Sequence, residues 1–280
     1  VMFRSKASNL TSGSFSGTEN LFVRDLQAGT TYALTTAGLS CAAMTPDGRF
    51  VAFVAMAGTS SGNLYVWASS SATKVYTNST SYLATVAISP DGNRVVYGIT
   101  LAPRNLLAVD RAAGTSFTIS TNWPAYRAGL RFSADNRFLA YSAILNKTNQ
   151  VFLYDFLAGT NLLVSRGYNS TTPAYGFSDS PDISADGRFV AYRSAATNIV
   201  PGVATGLPEI FLFDQQTRAT TLLSVSCFGN FAANNRSLSP TFSADGQTLV
   251  FQSWASDITM ADFNHGSDVV AYSLYYSGAI

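Results

Sequence analysis

Short apolar runs alternate with short polar punctuation along the whole chain. Runs such as Phe50-Val51-Ala52-Phe53, Arg94-Val95-Val96-Tyr97, Phe138-Leu139-Ala140-Tyr141 and Phe189-Val190-Ala191-Tyr192 are nearly continuous in apolar residues. Strands with one wet face alternate apolar and polar residues, so continuous runs of this length predict strands buried on both faces. No stretch sustains the 3.6-residue period of an amphipathic helix. The punctuation is turn chemistry. Asp-Gly between two apolar runs predicts a tight hairpin, because glycine accepts a positive φ and aspartate bonds its own backbone.

The pattern repeats. Thr45-Pro46-Asp47-Gly48 is followed by a run of apolar residues, and so are Ser89-Pro90-Asp91-Gly92, Ser133-Ala134-Asp135-Asn136, Ser184-Ala185-Asp186-Gly187 and Ser243-Ala244-Asp245-Gly246. The repeated aspartates are 44, 44, 51 and 59 residues apart. A second motif follows each first one: Asn63-Leu64-Tyr65-Val66-Trp67, Asn105-Leu106-Leu107-Ala108-Val109, Gln150-Val151-Phe152-Leu153-Tyr154, Glu209-Ile210-Phe211-Leu212-Phe213 and Asp268-Val269-Val270-Ala271-Tyr272. A further copy, Asn20-Leu21-Phe22-Val23, precedes them all. Gly-Thr closes several of these units at 29–30, 114–115 and 159–160. Each unit reads as four strands, A to D. A period of about 40–50 residues with four short strands predicts a β-propeller.

These motifs resemble the TolB-type, WD40-like (PD40) propeller repeat, and the resemblance covers nearly the whole chain. The Gly-His…Trp-Asp pair of true WD40 repeats is absent. The resemblance implies an all-β propeller of four-stranded antiparallel blades. Six blades are expected, at about 1–36, 41–78, 84–120, 128–166, 180–226 and 237–280, with seven or eight if the native chain is longer. The first unit lacks strand A, and in the sixth only Tyr276–Ile280 is left to serve as strand D. The chain opens inside a strand-like run, Val1–Ser5, as a processed or truncated product would. Because fold does not dictate function, the site has to be argued separately.

Composition narrows the partners. Hydrophobic residues make up 47% and charged residues 12% of the 280, with net charge +1 and no run of Lys or Arg. A surface that tracks phosphates needs clustered cations, so nucleic acid and anionic membranes are not expected as partners. No apolar stretch reaches the length of about 18 residues that a membrane-spanning helix needs. Two cysteines, Cys41 and Cys227, are too few for a disulfide scaffold and are expected as free, largely buried thiols. Low charge and the TolB resemblance together suggest a periplasmic, secreted or cell-surface bacterial protein.

Candidate chemistry lies on one face. In a propeller the B–C and D–A loops share a face, and here they are the long and variable ones, which is where binding usually sits. The first, fifth and sixth units share a B–C insertion: Ser5-Lys6-Ala7-Ser8-Asn9-Leu10, Ser194-Ala195-Ala196-Thr197-Asn198-Ile199 and Ser253-Trp254-Ala255-Ser256-Asp257-Ile258. The D–A connections carry aromatics beside amides and arginines. Trp123, Tyr126, Arg127, Tyr168, Tyr175, Phe228, Phe231 and Arg236 are the candidate partner-binding residues, for a protein or a polysaccharide. The competing reading is that these rings pack the loops onto the scaffold. Arg131 and Asp182 occupy equivalent strand-A positions in adjacent units and are expected to pair near the channel. Asp262, Asn264 and Asp268 offer oxygens for Ca²⁺, or a turn held by side-chain hydrogen bonds. No other cofactor is expected. The repeated turn aspartates read as structural. With His265 as the one histidine and no Gly-x-Ser-x-Gly elbow, no catalytic residue is assigned. The reading is therefore a non-catalytic scaffold for protein binding. A carbohydrate-binding or carbohydrate-processing module and a structural subunit of a surface assembly are the alternatives.

Overall fold

The computed structural model describes residues 1–58, 61–81, 83–99, 104–122, 129–202, 205–260, 262, 264 and 266–274, with the side chains at 80–84 left aside. The described residues form strands and turns, with no helix among them. Two compact units divide the chain, Val1–Arg127 and Ala128–Ile280.

The first unit holds three antiparallel sheets. One is β1 (Met2–Ser5), β2 (Asn20–Asp25) and β3 (Thr30–Ala33). The next is β4 (Leu39–Met44), β5 (Phe50–Met56), β6 (Ser61–Ala68) and β7 (Thr73–Ser81). The third is β8 (Leu83–Ile88), β9 (Arg94–Ile99), β10 (Leu106–Asp110) and β11 (Thr115–Ser120). In the second unit, the fourth sheet is β12 (Arg131–Phe132), β13 (Phe138–Leu145), β14 (Thr148–Asp155) and β15 (Thr160–Leu163). The fifth is β16 (Ser178–Ile183), β17 (Phe189–Ser194), β18 (Glu209–Asp214) and β19 (Thr220–Leu222). The sixth is β20 (Ser237–Phe242), β21 (Thr248–Ser253) and β22 (Asp268–Ser273). Strands follow chain order across every sheet, so each unit of the sequence repeat is one meander. Among the described residues the first sheet has three strands. Tyr276–Ile280, expected as the last strand, lie outside the described residues.

The continuous apolar runs are explained by where alternate side chains go. Val51 and Phe53 of β5 pack with Leu21, Val23 and Leu34 of the first sheet. Ala52 and Val54, between them, pack with Val86, Ile88, Val95 and Tyr97 of the third. The same division recurs in the second unit. Val190 and Tyr192 of β17 face Phe138, Ala140, Val151 and Leu153, whereas Phe189 and Ala191 face Phe242, Leu249 and Phe251. One strand thus contributes to two cores. Phe53, Tyr141, Tyr192 and Phe213 are fully buried, and each such ring contributes about 2–3 kcal/mol. Cys41 and Cys227 are free thiols of intermediate burial. Burial still pushes the Cys41 thiol up to about 12.

The A–B turns are built alike. The Thr45 hydroxyl donates to Asp47 Oδ1 at 2.6 Å, and the same oxygen accepts the Arg49 N–H at 3.0 Å. Thr45 Oγ1 in turn accepts the Phe50 N–H at 3.0 Å. Ser184, Asp186 and Phe189 repeat this geometry, as do Ser243, Asp245 and Thr248. Hydrogen bonds from the Thr45 hydroxyl and the Arg49 amide hold the Asp47 carboxyl down at about 2. A carboxylate so engaged has no use as a general acid. The turn glycine is also a packing residue. A Cβ on Gly187 (φ +74°) would stand 2.3 Å from a ring carbon of Phe138 in the preceding sheet. Gly48 has φ +71° and open space around it.

The two glycines therefore separate backbone strain from wedging. Gly48→Ala is expected to lower unfolding free energy by about 1–2 kcal/mol, the cost of the left-handed backbone. Gly187→Ala adds overpacking and is expected to cost about 2–5 kcal/mol. Urea denaturation of both variants measures this, and equal losses would show that the Gly187–Phe138 contact plays no part.

Candidate functional site

Two D–A connections of equal length leave the outer strands of the second unit, from Ser165 to Ser178 and from Ser224 to Ser237. Each doubles back on itself through a single bridge, Arg166 with Pro173 and Val225 with Ala232. Their bases are fixed by a buried polar latch. The Ser165 hydroxyl donates to Gln150 Oε1 at 2.6 Å and accepts the Val151 N–H at 2.9 Å. Ser224 does the same with Glu209 Oε2 (2.6 Å) and the Ile210 N–H (2.9 Å). In the first unit, Thr35 and Asn20 form a third copy. Gln150 Nε2 continues the latch to the carbonyls of Ala174 and Gly176.

The middle of each excursion is held by the next B–C insertion. The Asn198 carbonyl accepts the Tyr168 N–H at 2.7 Å, and Asn198 Oδ1 accepts the Tyr175 N–H at 2.7 Å. Asp257 matches it, accepting the Cys227 N–H on its carbonyl (2.7 Å) and the Asn234 N–H on Oδ1 (2.9 Å). Main chain is pinned and the aromatic tips project outward. Tyr175 is 76% exposed and Phe228 is 70% exposed, with Tyr168 and Phe231 also open to solvent. Arg236 lies over the Trp254 ring at 4.5 Å. Arg193 pairs with both carboxylate oxygens of Asp179 and lies 5.5 Å from the Phe177 ring. The second-unit candidates Tyr168, Tyr175, Phe228, Phe231 and Arg236 thus all belong to these two excursions. Trp123, Tyr126, Arg127 and His265 lie outside the described residues.

Arg131 and Asp182 approach to 3.5 Å. Asp182 Oδ2 also accepts the Phe242 N–H at 2.8 Å, so this carboxylate links the inner strands of three consecutive sheets. Burial pushes its carboxyl up, against the pull of the Phe242 amide and of Arg131. In the sixth sheet the Asn264 amide donates to Asp268 Oδ1 at 3.1 Å, and Asn264 Oδ1 accepts the Gly266 N–H at 2.6 Å. Asp262 Oδ1 accepts the Asn264 N–H at 3.3 Å. Asp262 Oδ1, Asp268 Oδ1 and both ends of the Asn264 amide are thus engaged within this turn. Among the described residues there is no cluster of three or more His, Cys, Asp or Glu groups placed to hold a metal.

No protein-family model and no curated protein matches the sequence. Solved structures do match. TolB from Acinetobacter baumannii superposes with a TM-score of 0.52 at 17% identity, covering 85% of this chain and 57% of that one. A TolB-type protein of Agrobacterium tumefaciens gives 0.51 at 18%, covering 89% and 86%. The β-propeller domain of the Trilobed protease from Pyrococcus furiosus gives 0.60 at 8%, covering 97% and 77%. The chain has a TolB-like β-propeller fold. It spans little more than half of the Acinetobacter TolB chain, and at these identities the likeness concerns the fold alone.

The polar residues Asn20, Gln150 and Glu209 that open strand C, which sequence reasoning passed over as a motif edge, fix the loop bases of three sheets. Asn198 and Asp257 pin the two excursions beyond those bases. Their shared spacing after Ser194 and Ser253 was visible, but its purpose was not. Glu209 is the chemically unusual member of the set. It is buried, and burial raises its carboxyl from 4.5 to about 7, with the Ser224 and Thr205 hydroxyls pulling the other way and Asp257 reinforcing the rise. Gln150 fills the same place in the fourth sheet without a charge, so the latch itself does not require one. Folded protein binds the proton more tightly than unfolded protein here, so this contribution is full below pH 4.5 and is lost as pH rises to about 7. Glu209→Gln is expected to flatten stability between pH 4.5 and 7 and to raise it at pH 7 by up to about 3 kcal/mol. Urea midpoints across that range provide the measurement. An unchanged slope would place the titration elsewhere.

Proposed function

We propose that this propeller is a non-catalytic binding scaffold of the bacterial cell envelope or exterior, and that it holds a protein partner on the loop face of its second unit. One observation carries the reading. Two matched excursions are anchored at their bases by the buried Ser165 and Ser224 hydroxyls and pinned in the middle to Asn198 and Asp257, while presenting Tyr175, Phe228 and Phe231 to solvent. Aromatic side chains on a rigid base lose little entropy on binding, and such residues dominate interface energies. The similarity to TolB supports the fold that underlies this reading. A propeller also occurs within a protease, so the fold does not by itself decide for or against catalysis. No helix among the described residues is long and apolar enough to cross a membrane.

The double substitution Tyr175→Ala and Phe228→Ala tests the proposal. The partner is captured from an envelope extract on immobilised protein, identified, purified and measured by surface plasmon resonance. Affinity is expected to fall by about 30-fold or more, the loss of a binding hot spot. The melting temperature should hold, because both side chains point into solvent. Unchanged affinity in the double variant sinks the proposal. Retention of a polysaccharide in place of a protein would replace it with the carbohydrate-binding reading.

A further inference from the structure

A cleft of about 530 Å³ opens between the Ser165–Ser178 excursion and the outer hairpin of the fifth sheet. Its walls carry Arg166, Tyr168, Ser170 and Thr171 on one side and Arg218 and Thr220 on the other. That volume is within the range of small-molecule sites. Tyr175 and Phe228, which carry the protein-binding reading, take no part in it.

Three features set this cleft apart. The first is unneutralised charge. Among the described residues neither Arg166 nor Arg218 has a carboxylate within 4.0 Å, and Asp214, whose carbonyl accepts the Arg218 N–H, has its carboxylate paired with Arg188. Arg166 Nη2 donates to the Arg218 carbonyl at 2.7 Å, which ties the two residues together and leaves the other guanidinium donors for a ligand. The matched excursion has Val225 where this one has Arg166.

The second is backbone cost. The turn from strand C to strand D needs a left-handed residue four places after its aspartate. Glycine fills that place at Gly29, Gly114 and Gly159, with φ of +62°, +66° and +66°. Here Arg218 fills it at φ +60°. Ala72 is the comparable residue of the second sheet, at φ +52°. A long cationic side chain at a place suited to glycine is strain retained at a surface turn, and such strain gathers where a side chain has work to do.

The third is a poorly answered polar atom. In the fourth sheet the Tyr141 hydroxyl donates to Asn161 at 2.8 Å. In the fifth sheet the equivalent pair is Tyr192 and Thr220. There the Tyr192 hydroxyl is buried with Thr220 beside it and no hydrogen bond of good geometry. Thr220 lines the cleft in front of that hydroxyl. Thus the cleft combines two guanidinium groups without carboxylate partners, several hydroxyls, an exposed tyrosine ring and an unmet hydrogen bond behind its wall.

We propose that this cleft binds an acidic saccharide, with Arg166 and Arg218 on the carboxylate, the hydroxyl side chains on the sugar hydroxyls and the Tyr168 ring against the sugar face. Guanidinium matches carboxylate in a planar, two-point geometry. A neutral sugar would leave both cations unanswered, and a simple inorganic anion would leave the ring and hydroxyls unused.

The test compares a β-1,4-linked tetramer of glucuronic acid with cellotetraose, which has the same linkage and lacks the carboxylates. Both are titrated into the full chain by calorimetry at pH 7. The acidic tetramer is expected to bind, with cellotetraose at least about tenfold weaker, the loss of one charged hydrogen-bonding group. Arg218→Gly is the decisive variant because it restores the residue that three sister turns use. It is expected to melt at or above the temperature of the parent while losing affinity for the acidic tetramer by about tenfold or more. Arg166→Lys should lose affinity in the same direction, and the double variant Tyr175→Ala, Phe228→Ala should keep it. Equal affinity for cellotetraose, no binding of the acidic tetramer, full affinity in Arg218→Gly, or tighter binding of a glutamate-rich peptide or of sulfate alone would each overturn the proposal.

Discussion

Everything in this molecule depends on strands that bury both faces at once. Val51 and Phe53 serve one core while Ala52 and Val54 serve the next, and β17 divides its side chains in the same way. A sheet of this kind has no wet face on which to spend polar side chains, so its apolar surface is hidden only when another sheet stands on each side. That constraint accounts for the repeat. In the B and C strands it leaves polar residues mainly near the ends, where they meet turns.

Strand ends are accordingly where the protein's specific hydrogen bonding is concentrated. A hydroxyl at 45, 89, 133, 184 or 243, buried in all but the last, closes each of these A–B turns by bonding both an aspartate and the backbone beyond it. At the opposite ends, Asn20, Gln150 and Glu209 receive hydroxyl donors from Thr35, Ser165 and Ser224. Unpaired buried polar groups cost about 1–3 kcal/mol each, so these latches hold the loop bases in one arrangement. The loops can then carry exposed rings without losing their shape. Asn198 and Asp257 extend that order outward by two further hydrogen bonds each.

Departures from the repeat locate the chemistry. Arg218 in place of glycine, Thr220 in place of asparagine and Arg166 in place of valine all fall on one cleft. Glu209 in place of Gln150 is a departure of another kind, because its carboxyl stays inside the latch and its effect is on stability. A repeat protein provides its own controls: each copy shows what the scaffold requires, and what a copy adds beyond that requirement invites a functional account.

The sequence by itself determined the all-β architecture, the meander order and the turn chemistry, because these follow from local rules. Asp-Gly and its neighbouring hydroxyl set a hairpin, and a doubly apolar run sets a strand buried on both faces. It also determined which residues of the two excursions would be candidates for binding, since their aromatic content breaks the pattern. Only the tertiary structure decided which of those residues are exposed and which atoms hold them. Asn198 reaches Tyr168 and Tyr175 across more than twenty residues of chain, and Arg166 meets the Arg218 carbonyl across 52. Such meetings depend on how adjacent sheets stack, a distance set by side-chain packing between sheets, and no local pattern records it.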